Sequence, residues 1–415
     1  MSDFWAKQHG LLCGQAGTGK SFLAAKKCEE AYFSTRLLAT TGIAAVNLGG
    51  TATTINSFLG YYDTKALKDM WVTGKLKSRI KKVANLGVER LVIDECSMLP
   101  ADQLTYLMKA IEESGTGLGI TLVGDFGQLP PVDAEFCYRS PEWPPFTENI
   151  LELTQPYRFT DPTYYTLLEK IRSGRAIEAA DLLDRSVFVS ALDTEFDGTT
   201  ILAVNEAIDR FNDARLHKLP GKDLRFPTLR RDEQKSEWKK LIPDILRLKE
   251  GALVVITANS VQAKRIIYAN GDLGTLMNSG TEAHALVKLK RTGEVVPVYY
   301  VTREYKRLNN DGDEIIVGEI TYMPLRPAYA STVHKAQGLT FDSTQIDLRN
   351  FLFDSPGMLY VAMSRVRSQA GLKIVGTPEL FVKRCVPNGG LIGFEKSLEG
   401  AKKAATLGAR RLLDL

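Results

Sequence analysis

The stretch GQAGTGKS, residues 14–21, fits the pattern G-x-x-x-x-G-K-[S/T] and decides how the rest of the chain is read. Residues 10–13 (GLLC) before it read as a short apolar strand, and residues 22–31 after it read as a helix. In a strand, glycine-rich turn and helix, the backbone N–H groups of Gly14, Gln15, Ala16, Gly17, Thr18 and Gly19 can turn toward a polyphosphate. Lys20 would then reach the β- and γ-phosphates, and the Ser21 hydroxyl would ligate Mg2+. The bland reading, a glycine-rich turn that binds nothing, is disfavoured by a full match in the right context. The sequence therefore predicts a bound nucleoside triphosphate.

A second strand, residues 90–93 (RLVI), ends in Asp94-Glu95. Ligands of open α/β sheets sit at the carboxyl ends of the strands, which would place these acids beside the phosphate loop. Asp94 would hold Mg2+, directly or through water, and Glu95 would polarise the attacking water. A third strand, residues 120–123 (ITLV), runs into GDFGQLPPV at 124–132, where Gln128 could sense a γ-phosphate.

These blocks, together with TTGIAA (40–45), TINSF (54–58), VIDECSM (92–98), LTQPYR (153–158), STVHKAQGLTF (331–341) and YVAMSRV (360–366), occur in one order along the chain. In that order they resemble the superfamily 1 helicases, and most of all the branch that contains the RecD, Dda and Pif groups. The resemblance implies two RecA-like P-loop motor domains, ATP and Mg2+ as cofactors, and 5′ to 3′ movement on single-stranded DNA. It also implies that Arg158 and Arg365 act as arginine fingers on the γ-phosphate. Thr41, Thr54, Asn56 and Phe58 on the first motor domain, with Thr332, His334 and Lys335 on the second, would contact DNA. Hydroxyls, amides and Lys bond to phosphate oxygens, so little sequence preference is expected.

Two positions depart from the family pattern. Asn56 stands where the family has His, although an amide can still donate to phosphate. The resemblance implies an adenine-reading Gln well upstream of the loop, whereas only 13 residues precede Gly14 here, and Gln8, close to the loop, is not assigned that role.

Composition agrees with this reading. A chain of 415 residues with 44% hydrophobic content has room for two or three cored domains. Its 53 basic and 49 acidic residues leave a net charge of +4, so affinity for nucleic acid must come from a local groove. Five scattered cysteines without a C-x-x-C pair argue against a disulfide framework or a zinc site and for a reducing compartment. The N-terminus lacks a signal-peptide pattern and no apolar run approaches membrane-span length, so a soluble cytoplasmic protein is expected.

The predicted organisation is a first motor domain at 1–58 and 88–160, interrupted by a wedge or pin subdomain at 59–87. The second motor domain falls at 161–260 and 323–387, with its strands at 200–204, 253–257, 344–348 and 372–375. An SH3-like β-barrel insert is expected at 261–322, where Gly271, Gly274, Gly280, Gly293, Gly312 and Gly318 separate β-rich runs. A basic helical segment, 388–415, is expected to pack on the second motor domain. Within the wedge, Tyr61, Tyr62 and Trp71 could stack on a terminal base pair, or could simply form a small core. A monomer acting on single-stranded DNA and strand junctions follows, with replication or recombination proteins as partners. A protein-stripping translocase, an RNA-directed motor and a nucleotide-gated loading module are the competing readings.

Overall fold

The computed structural model describes all residues except 1, 32–33, 49–51, 233–241, 259, 263–264, 269–271, 278–282, 291, 309–313, 399–402 and 408–415. Gly271, Gly280, Gly312 and much of the basic C-terminal stretch thus lie outside the described residues. The chain divides into two compact units: Met1–Arg158 with Tyr305–Val317 and Asn388–Leu415, and Phe159–Glu304 with Gly318–Pro387.

The first unit is built on a seven-stranded sheet. Its order is Lys403–Leu407, Ile150–Leu153, His9–Gly14, Gly119–Gly124, Arg90–Asp94, Thr35–Ala39 and Thr53–Thr54. Every pairing is parallel. The near-continuous apolar runs explain this, because strands covered by helices on both faces need apolar side chains on both. Gly119–Gly124 is buried along its whole length. Register pairs Cys13 with Gly124 and Ile93 with Leu122, so the strands carrying the phosphate loop, Asp94 and the 124–132 loop end side by side.

The 59–87 insert folds as two helices, Thr64–Val72 and Lys75–Asn85. Asp63 caps the first by accepting from the Ala66 N–H at 2.8 Å, and Gly74, at φ 72°, makes the left-handed turn between them. Leu76, Ile80 and Val83 follow helical spacing and are fully buried with Leu67, Leu104 and Leu107 in one apolar cluster. The insert therefore shares the core of the first unit.

The C-terminal segment departs from expectation. Gly389–Ser397 is a helix, but Lys403–Leu407 is an edge strand of the first sheet, and both belong to the first unit, where packing on the second had been expected. The glycines explain the helix's position: a Cβ at Gly390 would lie 2.3 Å from the Phe136 ring, and one at Gly393 would lie 2.6 Å from Tyr138 Oη. That close approach lets Phe394 reach Phe126, with ring centroids 4.5 Å apart, beside Trp143 and Tyr138.

The second unit holds a five-stranded parallel sheet in the order Ala330–Thr332, Thr199–Leu202, Thr344–Asp347, Leu372–Val375, Phe188–Val189. Three of the four expected strands are in it. The fourth, Leu253–Ile256, instead pairs antiparallel with Leu273–Met277 and Leu325–Pro327 in a separate five-stranded sheet. An apolar run of four residues satisfies either sheet, and its neighbours in space, which the run itself does not specify, decided the matter. Among the described residues no helix is long and apolar enough to cross a membrane.

Candidate nucleotide site and nucleic-acid contacts

The phosphate loop closes where the sequence places it. Gly14 has φ 152°, and a Cβ there would fall 2.3 Å from the Leu153 carbonyl oxygen, so only glycine fits. Gly19, at φ 85°, starts the helix Lys20–Glu30 and points its first N–H groups at the loop. Thr18 Oγ1 and Lys20 Nζ each donate to the Gln15 carbonyl at 2.8 Å, which draws the loop into a ring around its own backbone.

Three carboxylates surround Lys20. Burial depresses the Lys20 pKa, and the charges of Asp125, Glu95 and Asp94, in that order, oppose the shift. Among the described residues Lys20 makes no ion pair, so its charge is balanced at a distance and its ammonium rests on a carbonyl. Asp94 is 3% exposed, and burial raises its pKa. A hydrogen bond from the Ser21 side chain, the Glu95 N–H at 2.8 Å and the charge of Lys20 act the other way. A buried carboxylate joined to a hydroxyl is an oxygen donor pair suited to a hard cation, so these residues fit Mg2+.

Glu95 occupies the left-handed region at φ 55°, which is uncommon for a residue with a Cβ. Its backbone is held by Thr40, whose hydroxyl donates to the Glu95 carbonyl at 3.0 Å and whose N–H donates to the Asp94 carbonyl at 3.2 Å. Strain of this kind persists only where neighbours over-determine it.

Two residues that sequence reasoning missed belong to this end of the sheet. Asp125 is 1% exposed, accepts from the Gly127 N–H at 3.0 Å, and is the carboxylate with the largest effect on Lys20. The signal was its position one residue past the strand that lies between the other two. Asn388 is 2% exposed; its Nδ2 donates to the Gln128 carbonyl, and its Oδ1 accepts from the Gly390 N–H at 3.0 Å. Gln128 is thus buried and its backbone is tied to the C-terminal helix, a link across the sequence that no local pattern announces.

The two arginines differ. Arg158 is partly buried, and the N–H groups of Tyr157 and Arg158 donate to the Gly17 carbonyl at 2.8 and 3.3 Å, which fastens the LTQPYR segment to the phosphate loop. Arg365 is 1% exposed within the second unit. Its Nε donates to the Val361 carbonyl at 2.8 Å and its Nη2 to Ser364 Oγ at 2.6 Å, while Nη1 approaches the Leu339 and Ala336 carbonyls at 3.4 and 3.5 Å.

The expected DNA contacts divide by exposure. Thr41, Thr54 and Thr332 are helix caps that accept from the N–H groups of Ala44, Ser57 and Lys335 at 3.1, 3.1 and 3.0 Å. Asn56 is partly buried and reaches the Tyr62 carbonyl at 3.4 Å. Phe58, 5% exposed, is part of the first unit's core, so it does not offer a ring to a base. His334 is exposed and Lys335 half-buried on the short helix Val333–Ala336.

The wedge aromatics divide in the same way. Tyr61 is 4% exposed and donates to Gln103 Oε1 at 3.0 Å, so it is a core residue. Trp71 stacks on Tyr106 at 5.3 Å, donates to Glu113 Oε1 at 3.0 Å and lies under Lys109 Nζ, which pins it to the helix Ala101–Ser114. Only Tyr62 of the three, 89% exposed, presents a free face.

Comparison with known proteins agrees with this architecture. A family model described as an AAA domain matches residues 5–194. The ATP-dependent DNA helicase PIF1 of Homo sapiens is 30% identical over 397 residues; the match covers 91% of this chain and 59% of that protein, so the chain spans little more than half its length. The ATP-dependent DNA helicase Pif1 of Bdellovibrio bacteriovorus is 30% identical, covering 88% of this chain and 84% of that one. The crystal structure of Bacteroides sp Pif1 in complex with ADP-AlF4 superposes with a TM-score of 0.73 at 25% identity, covering 96% of both chains. A RecA-like P-loop fold with an intact phosphate loop and acidic strand end, matched across most of a bacterial relative, places this chain in the Pif1 family of helicases.

Proposed function

We propose that this chain is an ATP-dependent DNA helicase that moves 5′ to 3′ on single-stranded DNA and opens duplexes. The observation that carries the reading is the convergence of Lys20, Ser21, Asp94, Glu95 and Asp125 at the ends of three adjacent strands. That set meets what phosphoryl transfer to water demands: positioning and charge neutralisation, with little covalent work for the protein. The names of the human and Bdellovibrio relatives support the same activity.

Lys20 would leave the Gln15 carbonyl to hold the β- and γ-phosphates, while the loop N–H groups cradle them. Ser21 and Asp94 would hold Mg2+, which supplies charge neutralisation on the phosphates when bound. Glu95, in its left-handed backbone conformation at the strand end, would orient and deprotonate the attacking water, and Gln128 would register the γ-phosphate. Arg158 and Arg365 would neutralise charge on the transferred group, and Arg365 must exchange its carbonyl partners to do so. Thr41, Thr54 and Asn56 in one unit, with Thr332, His334 and Lys335 in the other, would grip the DNA backbone, and alternate tightening would drive movement. A cellular role in replication, repair or recombination fits such a motor.

The burial of Tyr61 and the packing of Trp71 on Tyr106 favour a second reading, a translocase that clears proteins without opening duplexes. Unwinding of duplexes with a 5′ or a 3′ single-stranded tail separates the two. The helicase reading predicts ATP-dependent opening of the 5′-tailed substrate alone. Movement on single strands with neither substrate opened would leave the translocase.

A further inference from the structure

Residues 125–132, which carry Gln128, form turns and no strand or helix, so no ladder sets their position. The turn closes on Asp125: the Gln128 N–H donates to the Asp125 carbonyl and the Gly127 N–H to its carboxylate, both at 3.0 Å. Its other side is held from 260 positions away. Asn388 Nδ2 donates to the Gln128 carbonyl, while Asn388 Oδ1 accepts from the Gly390 N–H at 3.0 Å and caps the helix Gly389–Ser397. The same helix sends Phe394 onto Phe126, with ring centroids 4.5 Å apart, and Phe126 also meets Tyr138 edge-on at 5.3 Å. Phe126, Gln128 and Asn388 are all buried.

The Asn388 amide gives a hydrogen to one backbone group and takes one from another. Serine, aspartate and asparagine cap helix N-termini about equally well, so the cap alone does not call for asparagine. The bond to Gln128 does, because a buried carbonyl left unbonded is costly and an irregular loop sits where its bonds and packing hold it. We propose that Asn388 is a positioning residue for ATP, fixing the Gln128 backbone so that the Gln128 side chain meets the γ-phosphate, with the helix Gly389–Ser397 as the strut behind it. The inference rests on the reading of Gln128 as the γ-phosphate sensor and adds a residue outside every sequence block that carries the resemblance.

The test measures binding of AMP-PNP and of ADP, each with Mg2+, to the full chain by titration calorimetry. The wild type is compared with Asn388→Ser, Asn388→Asp, Gln128→Ala and the double variant Asn388→Ser with Gln128→Ala. Serine keeps the cap and falls one bond short of the Gln128 carbonyl. Aspartate keeps the size and the cap but has no hydrogen to donate while ionised. Asn388→Ser should bind AMP-PNP about tenfold more weakly, on the scale of one hydrogen bond, and ADP within about twofold of wild type, because ADP has no γ-phosphate for Gln128 to meet. In Asn388→Asp the same defect should fade as pH falls, since a protonated carboxyl can donate again. The double variant should bind AMP-PNP no more weakly than Gln128→Ala, the two substitutions acting through one contact. Equal losses of AMP-PNP and ADP, wild-type affinity for both, or additive effects in the double variant would overturn the proposal. If the Asn388 variants do not fold, hydrogen exchange of the wild type decides: AMP-PNP, and not ADP, should slow exchange at residues 388–397, and equal exchange in the two complexes would overturn the proposal. Wild-type binding of AMP-PNP by Gln128→Ala would instead refute the role of Gln128 on which this one rests.

Discussion

At the strand ends of the first sheet, buried side chains are charged and balanced at a distance; in the 59–87 insert, the buried side chains are apolar or aromatic. Lys20 rests on a carbonyl among three carboxylates, whereas Tyr61 and Trp71 each have a ring packed and a polar atom bonded. The contrast teaches how to tell a site from a core. A group whose burial costs energy that the fold does not recover is held for a ligand, and one whose burial is repaid in contacts is held for the fold.

The sharpest break between the two regions comes from Lys20→Ala. Losing the cation aimed at the phosphates should lower ATP turnover by about 10²–10³-fold or more while leaving the melting temperature near wild type, since a desolvated charge goes with it. A large drop in stability with turnover intact would put Lys20 in the structural class. In the insert the expected pattern is reversed. Tyr61→Ala should cost about 3 kcal/mol or more in stability, read from denaturant unfolding, because a filled core site empties. Tyr62→Ala should stay within about 0.5 kcal/mol, being exposed, and any loss of duplex opening there is then a loss of function alone. Equal destabilisation by the two would contradict their assigned surroundings.

Asn388→Ala sharpens the comparison from a third side. It removes a helix cap and a bond to the Gln128 carbonyl, so a loss of about 1–2 kcal/mol is expected. If the γ-phosphate loop depends on that bond, KM for ATP should rise as well.

The last effect is a pH dependence. His9, whose Nδ1 accepts from the Ile120 N–H at 3.2 Å, has its pKa lowered to about 4 by burial and by Arg90, against 6.5 for the free side chain. The unfolded chain therefore takes up a proton that the folded chain refuses. Its contribution to stability is complete above 6.5 and declines as pH falls toward 4. Unfolding of Asn- or Gln-substituted chains such as His9→Gln should show a flatter pH profile across that window than wild type.

Much of the motor was legible in sequence because its chemistry is local. Gly14, Lys20, Ser21, Asp94 and Glu95 are placed by strand ends and turn geometry that a few consecutive residues specify. What sequence left hidden depended on partners distant in the chain. Asn388 reaches Gln128 across 260 positions, and the strand Leu253–Ile256 joined an antiparallel sheet through neighbours its own letters do not name. Tyr61 and Tyr62 are adjacent and chemically identical, yet one is core and one is surface, which helix packing against Ala101–Ser114 settles. Phe58, expected at the DNA, likewise went to the core through neighbours its own segment does not name.

Steady-state ATP hydrolysis with and without single-stranded DNA, on wild type and Glu95→Gln, addresses the central claim most directly. The account predicts strong stimulation by DNA in the wild type, and in the variant a loss of turnover with DNA binding kept. Hydrolysis that ignores DNA in the wild type, or survives in Glu95→Gln, would contradict it.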